Sequence, residues 1–399
     1  MRKLIPIAAV LVIALGIYVA IFSGGDEEVT DAPTTVKIMI ALPSDLEVVK
    51  EMINGAQLAY DQAGGTAGDT PVALVMVNTY NADNPPDASK DAAAAQQAVA
   101  DEGVIAVLGG SDSSRAQISI PILNESSIPL ISGTATQPSL TKSGFVAGEP
   151  GSYYPTGQRN FFRVIPSDDV QAGVAARWMQ QQGIQTVYIL ALDTPYSTGL
   201  AGIFEVNAPD LGMEIVANET IPFAEIPAET IQTVAQQIIE ANPDAVYYPI
   251  RTVGNGLDLI AAVLAEDEDI IFVGGDGLSG EEGRDLHSFP AMRVFATNTP
   301  PAASLPSAAP LITAYQEAYN TAPHPFAVNS YEAMNVLLAA IDRADPPTRE
   351  NVLKALRELG DYSGMLGNWH FDENGDTSLT TLSMMQLQDQ EWVSVEVVN

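Results

Sequence analysis

The chain has 399 residues, room for two apolar cores, and 46% of them are hydrophobic, which excludes a disordered polymer. With 50 acidic residues against 17 basic ones, the formal charge is -33; such a field repels nucleic acid and anionic lipid, and no basic patch opposes it. There is no cysteine, which excludes disulfides, thiolate catalysis and thiolate metal sites together.

Arg2 and Lys3 precede an uncharged apolar run over residues 4–22. Nineteen residues of helix span about 28 Å, the thickness of a bilayer's hydrocarbon. The basic end favours the cytoplasmic side, which places the remainder outside. The small residues "SGG" at 23–25 resemble a cleavage site, so a removed signal peptide and a retained anchor are both expected outcomes. Residues 26–35, "DEEVTDAPTT", read as a tether.

From residue 36 onward, short apolar strands alternate with helical periodicity. "VKIMIA" is followed by Leu46, Val49, Ile53, Ala56 and Tyr60 on one helix face. "VALVMV" (72–77), an alanine-rich helix, "VIAVLGG" (104–110), a further helix and "IPLIS" (128–132) continue the pattern. Residues 142–160, rich in glycine, proline and tyrosine, break it. It resumes with "FFRVI" (161–165), "TVYILAL" (186–192), "MEIVANETI" (213–221), "DAVYYPI" (244–250) and "IIFVGG" (270–275), with helices between them. After "MRVFATN" (292–298), helices are predicted over about 304–320, 326–344 and 347–359. A hairpin turning at Asn374-Gly375 and a strand near 392–398 end the chain. Alternation of this kind builds parallel sheets with right-handed crossovers, here in two α/β units.

The stretch "VLGGSDSSRAQ" (107–117) passes from buried strand to glycine, serine and aspartate at the start of a helix. In parallel α/β sheets, ligands lie beyond the carboxyl ends of strands, where helix N-termini offer free N–H groups. Glycines allow close approach, and hydroxyls beside such N–H groups suit an anion. "ISGTATQPSLT" (131–141) has the same character at the next strand end, although Ser and Asp also serve as ordinary helix caps.

The block "VLGGSDSSRAQISIPILNESSIPLISGTATQPSLT" resembles the first-lobe signature of branched-chain amino-acid binding proteins of ABC importers. "INGAQLAYDQAGG" (53–65), "IIFVGGDG" (270–277) and "GNWHFDENGD" (367–376) look like further counterparts, so the likeness runs from about residue 36 to the C-terminus. It implies the type I periplasmic binding protein fold: α/β, two doubly wound parallel-sheet lobes, three hinge crossings, and a small ligand between the lobes. Lobe 1 is expected over 36–162 with about 298–372, and lobe 2 over 163–297 with about 373–399. The resemblance assigns the ligand's α-carboxylate to Ser113, the backbone of Thr134, and Thr136, with Ser114 and Ala135 close by. It matches Tyr196 to a tyrosine against the ligand and Asp276 to the acid that takes the α-ammonium. Two positions depart from the leucine-type pattern: Arg251 stands where an aromatic is usual, and Glu47 near an aromatic lid. In the cleft, Arg251 would pair with a ligand carboxylate, with Asp276 or with Glu47, and would make the side-chain pocket polar.

The implied partners are an amino acid or related small molecule and ABC permease subunits, with the membrane reached through the N-terminal helix if it is retained. A tethered sensor ectodomain of the same fold is the alternative, and amide or acidic ligands are the alternative cargo. No cofactor, metal or enzymatic activity is expected. His287, His324 and His370 lack metal spacing, and no histidine accompanies the serine cluster. "DENGD" (372–376) begins like a calcium loop but lacks its later glycine and glutamate, which leaves a hairpin turn as the expectation.

Overall fold

A computed structural model describes residues 35–80, 89–222, 226–251, 256–279, 293–388 and 391–398. The apolar segment 4–22 and nearly all of the expected tether lie outside these residues, as does His287. Among the described residues, no helix is long and apolar enough to cross a membrane.

The first lobe forms around strands β1 (Val36–Leu42), β2 (Thr66–Ala67), β3 (Thr70–Asn78), β4 (Val104–Gly109), β5 (Leu130–Ser132) and β6 (Phe161–Arg163). Their order is β2-β3-β1-β4-β5-β6, parallel except for the β2–β3 pair. Every residue of β4 is buried, as expected of a central parallel strand covered on both faces. Helices α1 (Glu47–Gln62), α2 (Ser89–Ala100) and α3 (Ser113–Asn124) supply the crossovers.

The second lobe carries α4 (Asp168–Gln181), β7 (Thr186–Leu192), α5 (Pro195–Asp210), β8 (Glu214–Ile221), α6 (Ala228–Ala241), β9 (Ala245–Tyr247), α7 (Gly256–Glu266), β10 (Ile271–Gly274) and β11 (Val294–Asn298). On α6, Ile231, Val234, Ala235 and Ile238 form the buried stripe, and Asn242 ends the helix in the left-handed conformation at φ 47°.

After β11 the chain returns to the first lobe. Helices α8 (Ala309–Tyr319), α9 (Pro325–Arg343) and α10 (Arg349–Arg357) pack there, with α9 lying along α1. That crossing is close enough for a Cβ on Gly55 to fall 2.0 Å from the Ala327 carbonyl oxygen, so only glycine fits. The hairpin β12 (Tyr362–Gly364) and β13 (Gly367–Trp369) is tied to α9 by buried Glu332, which accepts from Trp369 Nε1 at 2.8 Å and Met365 N at 2.9 Å. Strands β14 (Leu382–Gln388) and β15 (Glu391–Val398) then join the second sheet antiparallel, giving β15-β14-β11-β10-β9-β7-β8. The chain thus crosses between lobes three times. Each sheet separates two apolar clusters, one per face.

The expected turn at Asn374-Gly375 is present. Asp372 Oδ1 accepts from the N–H groups of Asn374 and Asp376, and Gly375 sits at φ 90°. The turn lies on the end of β6, where Arg163 N donates to Gly375 O at 3.0 Å.

Candidate functional site

The carboxyl ends of the two sheets are linked by the Arg251–Asp112 pair, and the residues that the sequence singled out, Glu47 excepted, stand at these strand ends. On the first lobe, Asp112 caps α3 by accepting from Arg115 N at 3.1 Å, which leaves Ser113 as the first helical residue. Ser113 is buried, and its Oγ accepts from Gln137 N at 3.1 Å, which leaves its proton available to an anion. Ser114 is half-buried beside it. The N–H groups of Thr134 and Ala135 both turn onto Ser132 Oγ, at 3.1 and 2.9 Å, while Thr134 Oγ1 donates to Ser111 O. The expected backbone donor of Thr134 is therefore engaged within its own loop. Thr136 Oγ1 is buried with no hydrogen-bond partner.

Arg163 holds this loop from behind. Fully buried, it donates to the carbonyls of Ala135 (3.2 Å) and Gln137 (2.8 Å) and pairs with Asp376 at 2.8 Å. Burial works against an ionised Asp376, but Arg163, Lys142 and the Thr141 hydroxyl outweigh it and hold the carboxyl below its ordinary range.

On the second lobe, Asp276 follows β10 and is 5% exposed. Three donors converge on its Oδ1: Tyr196 OH at 2.6 Å, Gln171 Nε2 at 3.2 Å and Gly277 N at 3.1 Å. Its own N–H binds Gln171 Oε1 at 2.6 Å. Tyr196, in the first turn of α5, therefore fixes the carboxylate. Gly275 makes this packing possible, because a Cβ there would meet Tyr196 OH at 2.3 Å. Burial pushes the Asp276 carboxyl up, and the donors offset that only in part. A buried carboxylate in this condition favours a cationic partner.

Arg251 and Glu47 part company. Glu47, at the start of α1, has a side chain 67% exposed and pairs with Lys50, so it is not brought to Arg251. Arg251 reaches across from the second lobe and pairs with Asp112, a partner that the sequence reading did not name. Asp112 also pairs with Arg115 at 3.1 Å, and Arg115 with Asp91, so charges of alternating sign run from the first lobe into the second. Burial opposes an ionised Asp112, yet Arg251 and Arg115 hold its carboxyl below the usual range. Among the described residues, no three His, Asp or Glu side chains form a metal-holding group.

A family model described as periplasmic binding protein matches residues 44–391. The chain belongs to the periplasmic binding protein family. Members of this family bind solutes and are not enzymes. The Leu/Ile/Val-binding protein BraC3 of Rhizobium johnstonii is similar, 26% identical over 369 residues that make up 92% of this chain and 94% of that one. Two solved structures share the fold. The leucine-binding protein LivK of Thermotoga maritima has a TM-score of 0.79 at 22% identity, covering 91% of this chain and 99% of its own. LivJ of Streptococcus pneumoniae, determined with isoleucine, has a TM-score of 0.76 at 22% identity, covering 92% and 99%. Within this periplasmic binding protein, sequence reasoning missed Asp112, Asp168 and Gln171. "SDDVQ" (167–171) at the start of α4 was the available signal, but it reads as capping chemistry unless the opposite strand end is known.

Proposed function

We propose that the chain is the extracytoplasmic solute receptor of an ABC importer, and that it captures an amino acid or related zwitterion by closing its lobes. The observation that carries this reading is the polarity of the two half-sites. The Ser113 hydroxyl at the α3 N-terminus suits a carboxylate, and buried Asp276 on the other lobe suits an ammonium. Only a ligand with both poles satisfies both lobes, so the closed form binds more tightly than the open one. Ser114, Ala135, Thr134 and Thr136 line the anionic end, and Tyr196 steadies the cationic end. The names of the similar proteins support an amino acid as cargo. The charged pair Arg251–Asp112 sets the side-chain end apart from an apolar leucine pocket and favours a polar ligand side chain.

A thermal-shift screen of the full chain with amino acids, their amides and dicarboxylates tests this. Amino acids should raise the melting temperature in proportion to the logarithm of concentration over Kd. Asp276→Asn should weaken the affinity by about tenfold or more, since hydrogen bonds to charged groups contribute roughly 1.5–3 kcal/mol. Equal shifts from carboxylates that lack an amine would refute the zwitterion reading.

A further inference from the structure

A second buried carboxylate stands behind the proposed ammonium position. Asp168, the first residue of α4, is fully buried. One side-chain nitrogen joins it to Asp276: Gln171 Nε2 donates to Asp168 Oδ1 at 3.1 Å and to Asp276 Oδ1 at 3.2 Å. The two carboxylate oxygens therefore lie within two hydrogen-bond lengths of each other. Three further buried polar atoms near them lack partners, namely Asp168 Oδ2, Thr136 Oγ1 and Tyr247 OH.

Among the described residues, the positive charges around them are already paired, and Arg163 offsets the burial of Asp168 only in part. From β6, Arg163 is spent on Asp376, Thr141 and two carbonyls. Lys142 pairs with Asp169 and Asp376. The remaining titratable neighbours are Tyr196 of α5, Tyr247 of β9 and Asp169 of α4 itself, none of which supplies a cation. Two like charges this close in a buried site cannot both persist without a cation or a proton. Asp276, with three donors on Oδ1, is the better anion. Asp168, with the shared Gln171 amide as its one hydrogen bond and the neighbouring Thr136 hydroxyl as the other group favouring its charge, is the better place for the proton.

Resting on the zwitterion reading above, we infer that Asp168 carries a proton while the cleft holds no cation and loses it to solvent when a ligand ammonium settles on Asp276. Ligand capture is then linked to proton release. The balance is simple: the ammonium arrives with its charge intact, one O–H bond at Asp168 breaks, and the proton leaves to buffer. Asp168 acts through Asp276 and is a positioning residue for the bound ammonium. Affinity should rise with pH, by up to tenfold per unit, across the range in which Asp168 titrates.

Isothermal titration of the full chain with leucine, glutamine and glutamate, each in phosphate and in Tris at one pH, counts the protons released. For whichever probe binds, the wild-type chain should release a fraction approaching one proton. Asp168→Asn should bind it with no release and with an affinity flat in pH. Binding without buffer dependence overturns the linkage while leaving the zwitterion reading intact, and so does equal release from Asp168→Asn. If no amino acid binds, the zwitterion reading falls. A carbon-13 carboxyl titration of the unliganded wild-type chain then decides the proton, because an Asp168 that ionises in the ordinary acid range overturns its storage there.

Discussion

Replacing Arg251 by glutamine removes the ion pair that joins the two lobes at the mouth of the proposed site. The Arg251 side chain is 30% exposed and that of Asp112 is 12% exposed, so the pair lies between a surface bridge and a buried one. Exposed pairs contribute about 0.2–1 kcal/mol, and hydrogen bonds to charged groups about 1.5–3. Asp112 keeps Arg115 at 3.1 Å and its cap bond, so the change leaves no abandoned buried charge. A loss of about 1–2 kcal/mol from the joined state is expected, which moves the equilibrium between joined and separated lobes roughly 5- to 30-fold. Because the chain has no cysteine, Glu125→Cys and Glu240→Cys place one dye on each lobe without competing sites. Single-molecule energy transfer should show a longer mean distance in the unliganded Arg251→Gln protein, and Asp112→Asn should shift it the same way. Since Asp112 is held below its ordinary value of 3.8, the joined state should persist through mild acid and loosen only as pH falls below that value. Unchanged distance distributions in both variants would refute the assignment of this pair as a contact that holds the lobes together.

Gly275→Ala should abolish ligand binding, because the added methyl displaces Tyr196 OH and Gln171 from Asp276; it also meets Leu200 Cδ1 of the second-lobe core at 3.0 Å, so a small loss of stability in urea should accompany an unchanged far-ultraviolet circular dichroism spectrum. Asp376→Asn should cost about 3–5 kcal/mol in urea unfolding at pH 7, since it strands the fully buried Arg163 guanidinium. The folded pKa of Asp376 is depressed, so this contribution is present at neutral pH and lost as pH falls through the folded value; the two proteins should converge in stability in acid. For Asp168 the sign is reversed. Burial, followed by the Asp276 charge, raises its pKa well above the ordinary value of 3.8, so its stabilising contribution exists in acid and disappears as pH rises through the folded value. Asp168→Asn should therefore gain stability relative to wild type on going from pH 4 to pH 8, as read from denaturant midpoints.

The α/β architecture was legible because buried parallel strands such as "VIAVLG" carry no alternation, and the helices between them keep one apolar stripe. What the stripes do not encode is the surface they meet. The late helices α8 to α10 showed their apolar faces in sequence, but periodicity alone did not say which lobe they join; the family resemblance placed them with the first lobe, and the structure lays α9 along α1. The polar site divides in the same way. Of the two proposed poles, Ser113 stood out through its own glycine- and hydroxyl-rich strand end, whereas Asp276 entered only through the family resemblance. The Arg251–Asp112 pair was not readable, since it joins residues 139 positions apart on different lobes, and Asp112 already had a sufficient local role as a helix cap. Glu47 shows the converse. Its position in the chain resembled a lid, but the first turn of α1 gives it Lys50 as a partner and leaves it exposed.

Arg163 keeps one proposed half-site rigid, which suits the lobe closure proposed above. It stands on the last strand of the first sheet, immediately before the first crossing. Its guanidinium grips the loop that carries Thr136, through the Ala135 and Gln137 carbonyls, and at the same time Asp376 in the turn before the last crossing. A rotation of the second lobe about these crossings therefore leaves the Ser113–Thr136 end as part of the first lobe's frame. The Asp276–Tyr196–Gln171 group is built wholly from the second lobe and moves as a unit against it. Two preorganised ends that approach each other lose little side-chain freedom on capture, so most of the binding free energy remains to drive closure.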